Sequence, residues 1–454
     1  MTSGAPPNLQ SQSASPASLF APTRHLKRIT LAPFVALLFA YCTGGPFALE
    51  SMISTSGPGL GLTFLMVVPF FLSIPISLAT AEMTTILPVE GGFYRWSRVA
   101  LGDFWGFQCG WWNWTGTFLV CAAYGVTMAD YLNEWIPLHS PLAHWLAALL
   151  FIVLVGYLNI RGIHVVGNLT LALLLVMFIP LIIFIIAGFR HAHFSPFHPF
   201  LPPGVSWQST FGPGLAIALW SYAGYEQLST IIEEVENPAR NFVIGLAIIT
   251  PISIAIYVVT LAAGLSALGN WQDWQTGYLV TAARLIGGGA LGAAVFGAAM
   301  IGSFALLDSS LLSVTRLPLT MAEDGYFHPA LGQVNPRFGT PVRSILLSTA
   351  LCGALAVFTV PQLIAIYAWT RMATSVQTVL SFWRLRRMYP DAPRTFRAPG
   401  GRLATFLIVV LPTFLFVWAM YYSDVPTRKW GALNLASGPA AYWLIRFWQR
   451  RARA

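Results

Sequence analysis

The feature that most constrains this chain is a succession of apolar runs separated by short polar connections. They lie near residues 31–55, 61–86, 104–132, 142–160, 166–188, 210–232, 243–268, 280–314, 342–359, 361–383, 403–422 and 430–448. A helix rises about 1.5 Å per residue, so about 20 apolar residues cross a hydrocarbon layer about 30 Å thick. Backbone groups in lipid must find partners inside the protein, and runs this long do so as helices. The expected fold class is an all-α polytopic membrane protein with about twelve spanning helices. Residues 24–454 form one domain, because no polar block between runs is long enough to fold alone.

Charge leads the same way. Only 9% of residues are charged and 56% are hydrophobic, whereas a soluble domain carries roughly 25% charged residues. The net charge of +9 resembles a nucleic-acid footprint until the cations are located: most sit in short loops, and 23 of the 25 are arginine. Twenty fall on one side, among them Arg24, Arg28, Arg95, Arg98, Arg161, Arg240, Arg316, Arg337, Arg343 and the groups at 384–402 and 446–453. Arg190, Arg428 and Lys429 fall on the other. Short basic loops stay in the cytoplasm, so both termini are placed there, the chain in the inner (plasma) membrane, and an even number of spans follows. No nucleic-acid partner is expected; the lipid bilayer is the surroundings. Residues 1–23, rich in Ser, Pro and Ala, read as a disordered cytoplasmic tail and lack the pattern of a cleaved signal.

No cofactor and no metal are expected. Cys42, Cys109, Cys121 and Cys352 stand singly in apolar runs, and His191, His193 and His198 lack cysteine or carboxylate neighbours. An enzyme would need a nucleophile with its base, and Asp308-Ser309-Ser310 has no matching histidine. A channel would show a repeated filter or a polar pore stripe. Carriage of a small solute is the function that remains, with a transporter-like sensor as the alternative that keeps the same site.

Two runs are interrupted. The first carries Thr43-Gly44-Gly45-Pro46 in mid-span, and the sixth carries Ala223-Gly224-Tyr225-Glu226 in a similar place. Breaks five runs apart are expected of two inverted repeats, 24–188 and 210–383, with 403–448 as two additional helices; paired breaks mark a midplane solute site. Unwound backbone is tolerated in lipid only where it lines a cavity. The amides of Gly44, Gly45 and nearby residues such as Phe47, on either side of Pro46, open a second half-helix and suit a carboxylate, while the carbonyls of the sixth break suit an ammonium group. Glu50 and Glu226 are mid-membrane carboxylates, candidates for binding a cationic solute or carrying a proton. Two acids, with no lysine in any helix, tilt the reading toward a cation. Tyr222 and Tyr225 offer aromatic faces for an ammonium group, and Asn113 and Tyr124 on the third run are further binding candidates. Asp308 could join a polar relay. Glu82 and Arg371 pair with other groups or reach a helix end, and Glu233, Glu234 and Glu236 form either a solvated helix end or part of a gate.

Several segments together resemble one family. They are Gly45-Pro46-Phe47-Ala48-Leu49-Glu50; Phe104-Trp105-Gly106-Phe107-Gln108 with Asp130-Tyr131-Leu132; and Trp220-Ser221-Tyr222-Ala223-Gly224-Tyr225-Glu226 with Glu234-Val235-Glu236-Asn237-Pro238. Met321-Ala322-Glu323-Asp324-Gly325, Gly339-Thr340-Pro341 and Pro393-Arg394-Thr395-Phe396-Arg397-Ala398-Pro399 continue the likeness in order along nearly the whole chain. The chain resembles the amino acid–polyamine–organocation transporters, in their polyamine-uptake and L-type amino-acid branch. The resemblance implies a LeuT-type fold of five plus five helices, alternating access driven by an ion gradient, and amino acids or polyamines as solutes, by symport or by exchange. It implies an occluding role for Trp220 and a solute-facing position for Ser310. Some proton-coupled relatives place a lysine in the fifth helix; the segment from Asn168 to Pro180 has none. That leaves the carboxylates as proton carriers.

Overall fold

The structure, a computed structural model, describes residues 28–133, 136–423 and 425–451. The expected tail over 1–23 lies outside them. The first span is α1 (Leu31–Cys42) followed, after a non-helical segment, by α2 (Glu50–Ser56). The second is α3 (Pro58–Phe71) and α4 (Ser73–Ile86), and α5 (Gly92–Leu101) follows as a connector. Then come α6 (Asp103–Asn133), α7 (Pro141–Arg161), α8 (Ile163–Arg190) and α9 (Trp207–Ser221), the last continued beyond a break by a 3-10 segment, Gln227–Glu234. The remainder is α10 (Pro238–Leu268), α11 (Tyr278–Val314), α12 (Arg316–Glu323), α13 (Val342–Leu355), α14 (Val360–Met388), α15 (Gly401–Tyr422) and α16 (Val425–Arg451). Among the described residues there is no strand, only isolated bridges such as Ile29 with Val235.

Local chemistry sets many of these ends. Proline opens α3, α7 and α10, where its missing N–H costs nothing. Ser140 Oγ accepts from Ala143 N at 3.1 Å at the start of α7. Thr359 and Gln362 form a reciprocal capping box on α14.

Six helical stretches among the described residues are long and apolar enough to cross a membrane unaided: Pro58–Ile86, Pro141–Arg161, Ile163–Arg190, Pro238–Leu268, Tyr278–Glu323 and Gly401–Tyr422. The other expected spans fall short for visible reasons. The first and sixth are broken, α13 has 14 residues, and α6, α14 and α16 carry Asn, Gln, Thr, Trp or Arg at intervals. On α6 and α14 many of these polar groups, among them Gln108, Asn113, Arg371 and Ser375, are buried against protein. The all-α polytopic class is what the molecule has.

Two features depart from the expected runs. The run at 280–314 is not one straight span, because Gly288 (φ +78°) stands in non-helical geometry inside α11. Three consecutive glycines, Gly287 to Gly289, make that bend sterically cheap. The helices α5 and α12 were not expected at all. Each is short and amphipathic, with too many polar residues to register as an apolar run.

Both described ends lie on one face. Arg28 Nε donates to the Glu233 carbonyl at 3.2 Å, Arg446 lies 3.3 Å from Asp103, and Gln449 Nε2 donates to the Gly325 carbonyl at 2.5 Å. This terminus face carries α5, α12 and the start of α6. The far end of α6, the α10–α11 connection and the start of α14 lie on the opposite face.

Candidate functional site

The first break is built from backbone geometry that glycine permits. Gly44 has φ +57° and Gly45 φ +102°, and Ala48 holds φ +65°, which is uncommon for a residue with a Cβ. A Cβ on Gly44 would stand 2.2 Å from Leu306 Cγ, and one on Gly302 would stand 2.1 Å from the Gly44 carbonyl oxygen. The unwound segment of the first span is therefore seated directly on α11. At the second break Gly224 takes φ +116°, and a Cβ there would stand 2.8 Å from Tyr41 Cε1 on α1.

Freed carbonyls need donors. Tyr257, on α10, places its hydroxyl 3.2 Å from the Thr43 carbonyl and 3.2 Å from the Ser221 carbonyl. One phenol proton thus serves both broken helices. One turn earlier on α10, Ser253 Oγ bonds to Thr43 Oγ1, and Ser73 Oγ donates to the Tyr222 carbonyl at 3.2 Å. The amides of Gly45 and Phe47 have no hydrogen-bond partner among the described residues.

The charge at the second break is compensated. Arg371 Nη2, on α14, lies 2.8 Å from Glu226 Oε1, and both side chains are buried. Ser375 Oγ donates to the same oxygen at 2.7 Å. Arg371 Nη1 also bonds Gln227 Oε1, and Gln227 exchanges two hydrogen bonds with Asn113, at 2.8 and 2.6 Å. The two acids that tilt the reading toward a cation are thus unlike: Glu226 is neutralised by an arginine from another span, and Glu50 has no ion-pair partner among the described residues.

A cavity of about 1270 Å³ opens on the far face. Asp130, Asp273 and Tyr278 stand toward its mouth, and it descends to Gly44, Phe47, Ala223, Ser303 and Arg371. Beneath it a chamber of about 30 Å³, room for about one water, is enclosed by both breaks and Tyr257. Phe47, Tyr124, Trp220, Ala223, Leu306 and Tyr367 line both spaces, so they form the partition between them. Thr43 lines the lower chamber and Gly44 the upper cavity.

The remaining sequence candidates sit elsewhere. Gly45, Pro46, Gly224 and Glu226 belong to the breaks without lining either space. Asn113 is occupied by Gln227. Tyr222 is buried and donates to the Leu65 carbonyl at 2.7 Å, Tyr225 is buried, and Ser310 is buried in α11. Glu50 is buried at the start of α2, facing the amides of Ala48, Gly277 and Leu279, with neither carboxylate oxygen in close hydrogen-bond geometry.

The terminus face is shut. Arg316 makes a two-point contact with Glu234, at 2.8 and 3.2 Å, with both side chains buried. Arg95 lies 2.9 Å from Glu323, and Arg98 lies 2.7 Å from both Asp324 and Asp103. Glu233 accepts from the Glu90 amide at 3.0 Å. The acids at 233 and 234 are thus packed, not solvated. Glu82 holds Arg386 and Arg394, each at 3.2 Å, and accepts from the Ala398 amide at 2.8 Å, which pins the arginine-rich loop to the second span.

A family model described as amino acid permease matches residues 34–445. The chain belongs to the amino acid permease family. It is a multi-pass membrane transporter, and its relatives carry transporter names. Polyamine transporter RMV1 of Arabidopsis thaliana is 30% identical over 413 residues, 88% of this permease and 81% of the relative. Polyamine transporter PUT1 of Oryza sativa subsp. japonica is 28% identical over 434 residues, 94% and 80% of the two chains. An uncharacterized transporter of Mycobacterium tuberculosis (strain ATCC 25618 / H37Rv) is 28% identical over 411 residues, 88% and 86%.

Sequence reasoning passed over several residues that build this permease's site. Tyr257 and Ser253 stand one helical turn apart in an apolar run, a polar pair that a search for helix-face partners would flag. Tyr367 was likewise passed over, although it stands at the same spacing from Arg371, which the sequence had placed in a pairing role, on α14. Leu306 carries no signal, since nothing distinguishes it from other leucines until the Gly44 segment is placed on it.

Proposed function

We propose that the permease is a secondary active carrier of amino acids or polyamines across the cytoplasmic membrane, working by alternating access as a proton symporter, with cationic solutes favoured. The carrying observation is the cavity itself: it runs from the far face down to a thin partition at both helix breaks, while ion pairs close the terminus face. A carrier caught between cycles needs this asymmetry. A conducting channel would be open along its whole length.

The solute preference draws on three supports. The named plant relatives are polyamine transporters. Asp130 and Asp273 lie toward the mouth, and Tyr124, Trp220 and Tyr367 offer aromatic faces to an ammonium group on the way down. The unpartnered amides of Gly45 and Phe47, with Arg371 nearby, suit the carboxylate of an amino acid. Inverted repeats over 24–188 and 210–383, with both termini cytoplasmic, complete the reading. The driving proton rides on a buried carboxylate.

The test is uptake of radiolabelled putrescine, arginine and leucine into proteoliposomes, with and without an inward proton gradient. Gradient-dependent accumulation of putrescine or arginine supports the whole reading. Accumulation of leucine alone removes the cationic preference. Solute exchange indifferent to the gradient replaces symport with exchange, and binding without flux replaces the carrier with a sensor.

A further inference from the structure

Among the buried carboxylates that line neither cavity, one belongs neither to a helix break nor to the closed terminus face. Asp308, on the part of α11 beyond the Gly288 bend, is fully buried. Asn159 Nδ2, from α7, donates to Oδ1 at 2.8 Å, and Thr170 Oγ1, from α8, lies 3.4 Å from Oδ2. No cation pairs with it among the described residues; the ion pairs there use other acids. Of the titratable groups on the surrounding helices, Arg161 and His164 are exposed at the span ends. Tyr41, Cys42, Cys121 and Cys352 lie in the interior, and none of the six interacts with Asp308.

The orphan atom beside it points to a proton. Asn159 Oδ1 is buried with no hydrogen-bond partner. A carboxylate anion has nothing to donate to it. A carboxylic acid does: acid and carboxamide are complementary, with N–H donated one way and O–H the other. Of the sequence's own proton candidates, Glu226 is held as an anion by Arg371 and Ser375, and Glu50 has no side-chain hydrogen-bond partner among the described residues that could position a proton.

We propose that Asp308 is the group that carries the driving proton, holding it in the conformation open to the far face, with Asn159 as its positioning residue. The proton adds to the carboxylate from water on the far face and leaves to water on the terminus face. Because Asp308 ties α11 to α7 and α8, loss of the proton strands an uncompensated charge between three helices and drives them to let water in. This rests on the proton-symport reading above.

The experiment compares the full-length protein with Asp308→Asn in proteoliposomes, using whichever of radiolabelled putrescine, arginine or leucine the unaltered protein exchanges. Two fluxes are read: counterflow with no proton gradient, and accumulation with one. Asparagine mimics the neutral acid, so counterflow within about twofold of normal and loss of gradient-driven accumulation are expected. Equal gradient dependence in both proteins overturns the role of Asp308 and leaves symport standing. A gradient without effect on the unaltered protein, while counterflow persists, overturns symport and this proposal together. Asn159→Leu covers the case in which Asp308→Asn does not fold. Removing the carboxamide takes a charge-assisted donor from the anion and only a weaker neutral acceptor from the acid, so the pH midpoint of uptake is expected to rise, by about one unit at most. An unmoved midpoint overturns the proposal.

Discussion

Arg371 Nη2 lies 2.8 Å from Glu226 Oε1, tying the tenth span to the break in the sixth in the interior of the protein. Removing one member leaves a buried charge without its partner, which costs ~3–5 kcal/mol where such pairs have been broken. Arg371→Ala is therefore expected to lower the thermal midpoint of the detergent-solubilised protein strongly. The double change Glu226→Gln with Arg371→Met is expected to recover most of the loss, as a double-mutant cycle reads directly. Independent, additive losses would show that the pair is not a unit.

Tyr257 makes a second prediction, because its hydroxyl is shared between the carbonyls of Thr43 and Ser221. Tyr257→Phe keeps the ring and strands those acceptors, at ~1–3 kcal/mol. Solute affinity is expected to fall about tenfold, with a modest drop in unfolding temperature that reflects the same stranded acceptors. The measurement is equilibrium binding of the transported solute, and an unchanged affinity would mean that water replaces the phenol without loss.

Packing between the first span and α11 gives a third. A Cβ at Gly302 would stand 2.1 Å from the Gly44 carbonyl oxygen, a backbone atom that cannot rotate aside. Gly302→Ala is expected to displace the unwound segment, destabilise the protein by ~1–3 kcal/mol and abolish solute binding. Gly297→Ala, on the same helix with open space around the added methyl, is the control and should behave as the unaltered protein.

These cases show how much was legible beforehand. The two breaks could be found because Gly44-Gly45-Pro46 and Gly224 are poor helix formers inside apolar runs. The spans could be found because hydropathy is a local property. The partner of Glu226 could not be found, since Arg371 lies far away in sequence and pairing depends on how the tenth span is turned. The bend at Gly288 carried the same kind of signal as the breaks, three consecutive glycines, but without an adjacent proline or charged residue to set it apart from the rest of the run. The helices α5 and α12 were hidden for a different reason: their amphipathic faces average to an unremarkable composition. Among the site candidates, Trp220 and Tyr124 lie on the partition, whereas Tyr222 and Tyr225 face protein. Residue type alone does not separate these aromatic side chains.

The closed terminus face is expected to respond to pH through Glu90. Burial, and then the nearby carboxylates of Glu234, Glu233 and Glu323, push the Glu90 carboxyl well above the ordinary carboxylate range. The closed form thus binds the Glu90 proton more tightly than a form in which that carboxyl is hydrated. Between the ordinary value and the raised one, closure weakens as pH rises, by at most ~1.4 kcal/mol per pH unit; below both values Glu90 contributes no pH dependence. Spin-label distances across the terminus face should lengthen in population as pH rises through that window. Glu90→Gln should remove this contribution, and an identical pH response in that variant would assign it to another group.

The central claim is that one site is exposed in turn to the two faces, and Ser303 tests it most directly. Its side chain lines the deep part of the cavity open to the far face, and the four native cysteines are buried. The measurement is labelling of Ser303→Cys by a membrane-impermeant maleimide applied to each face of oriented proteoliposomes during solute exchange. Alternating access predicts labelling from both faces, with the terminus-face reaction appearing only when exchanging solute is present. Labelling from the far face alone, whatever the solute, would contradict the account.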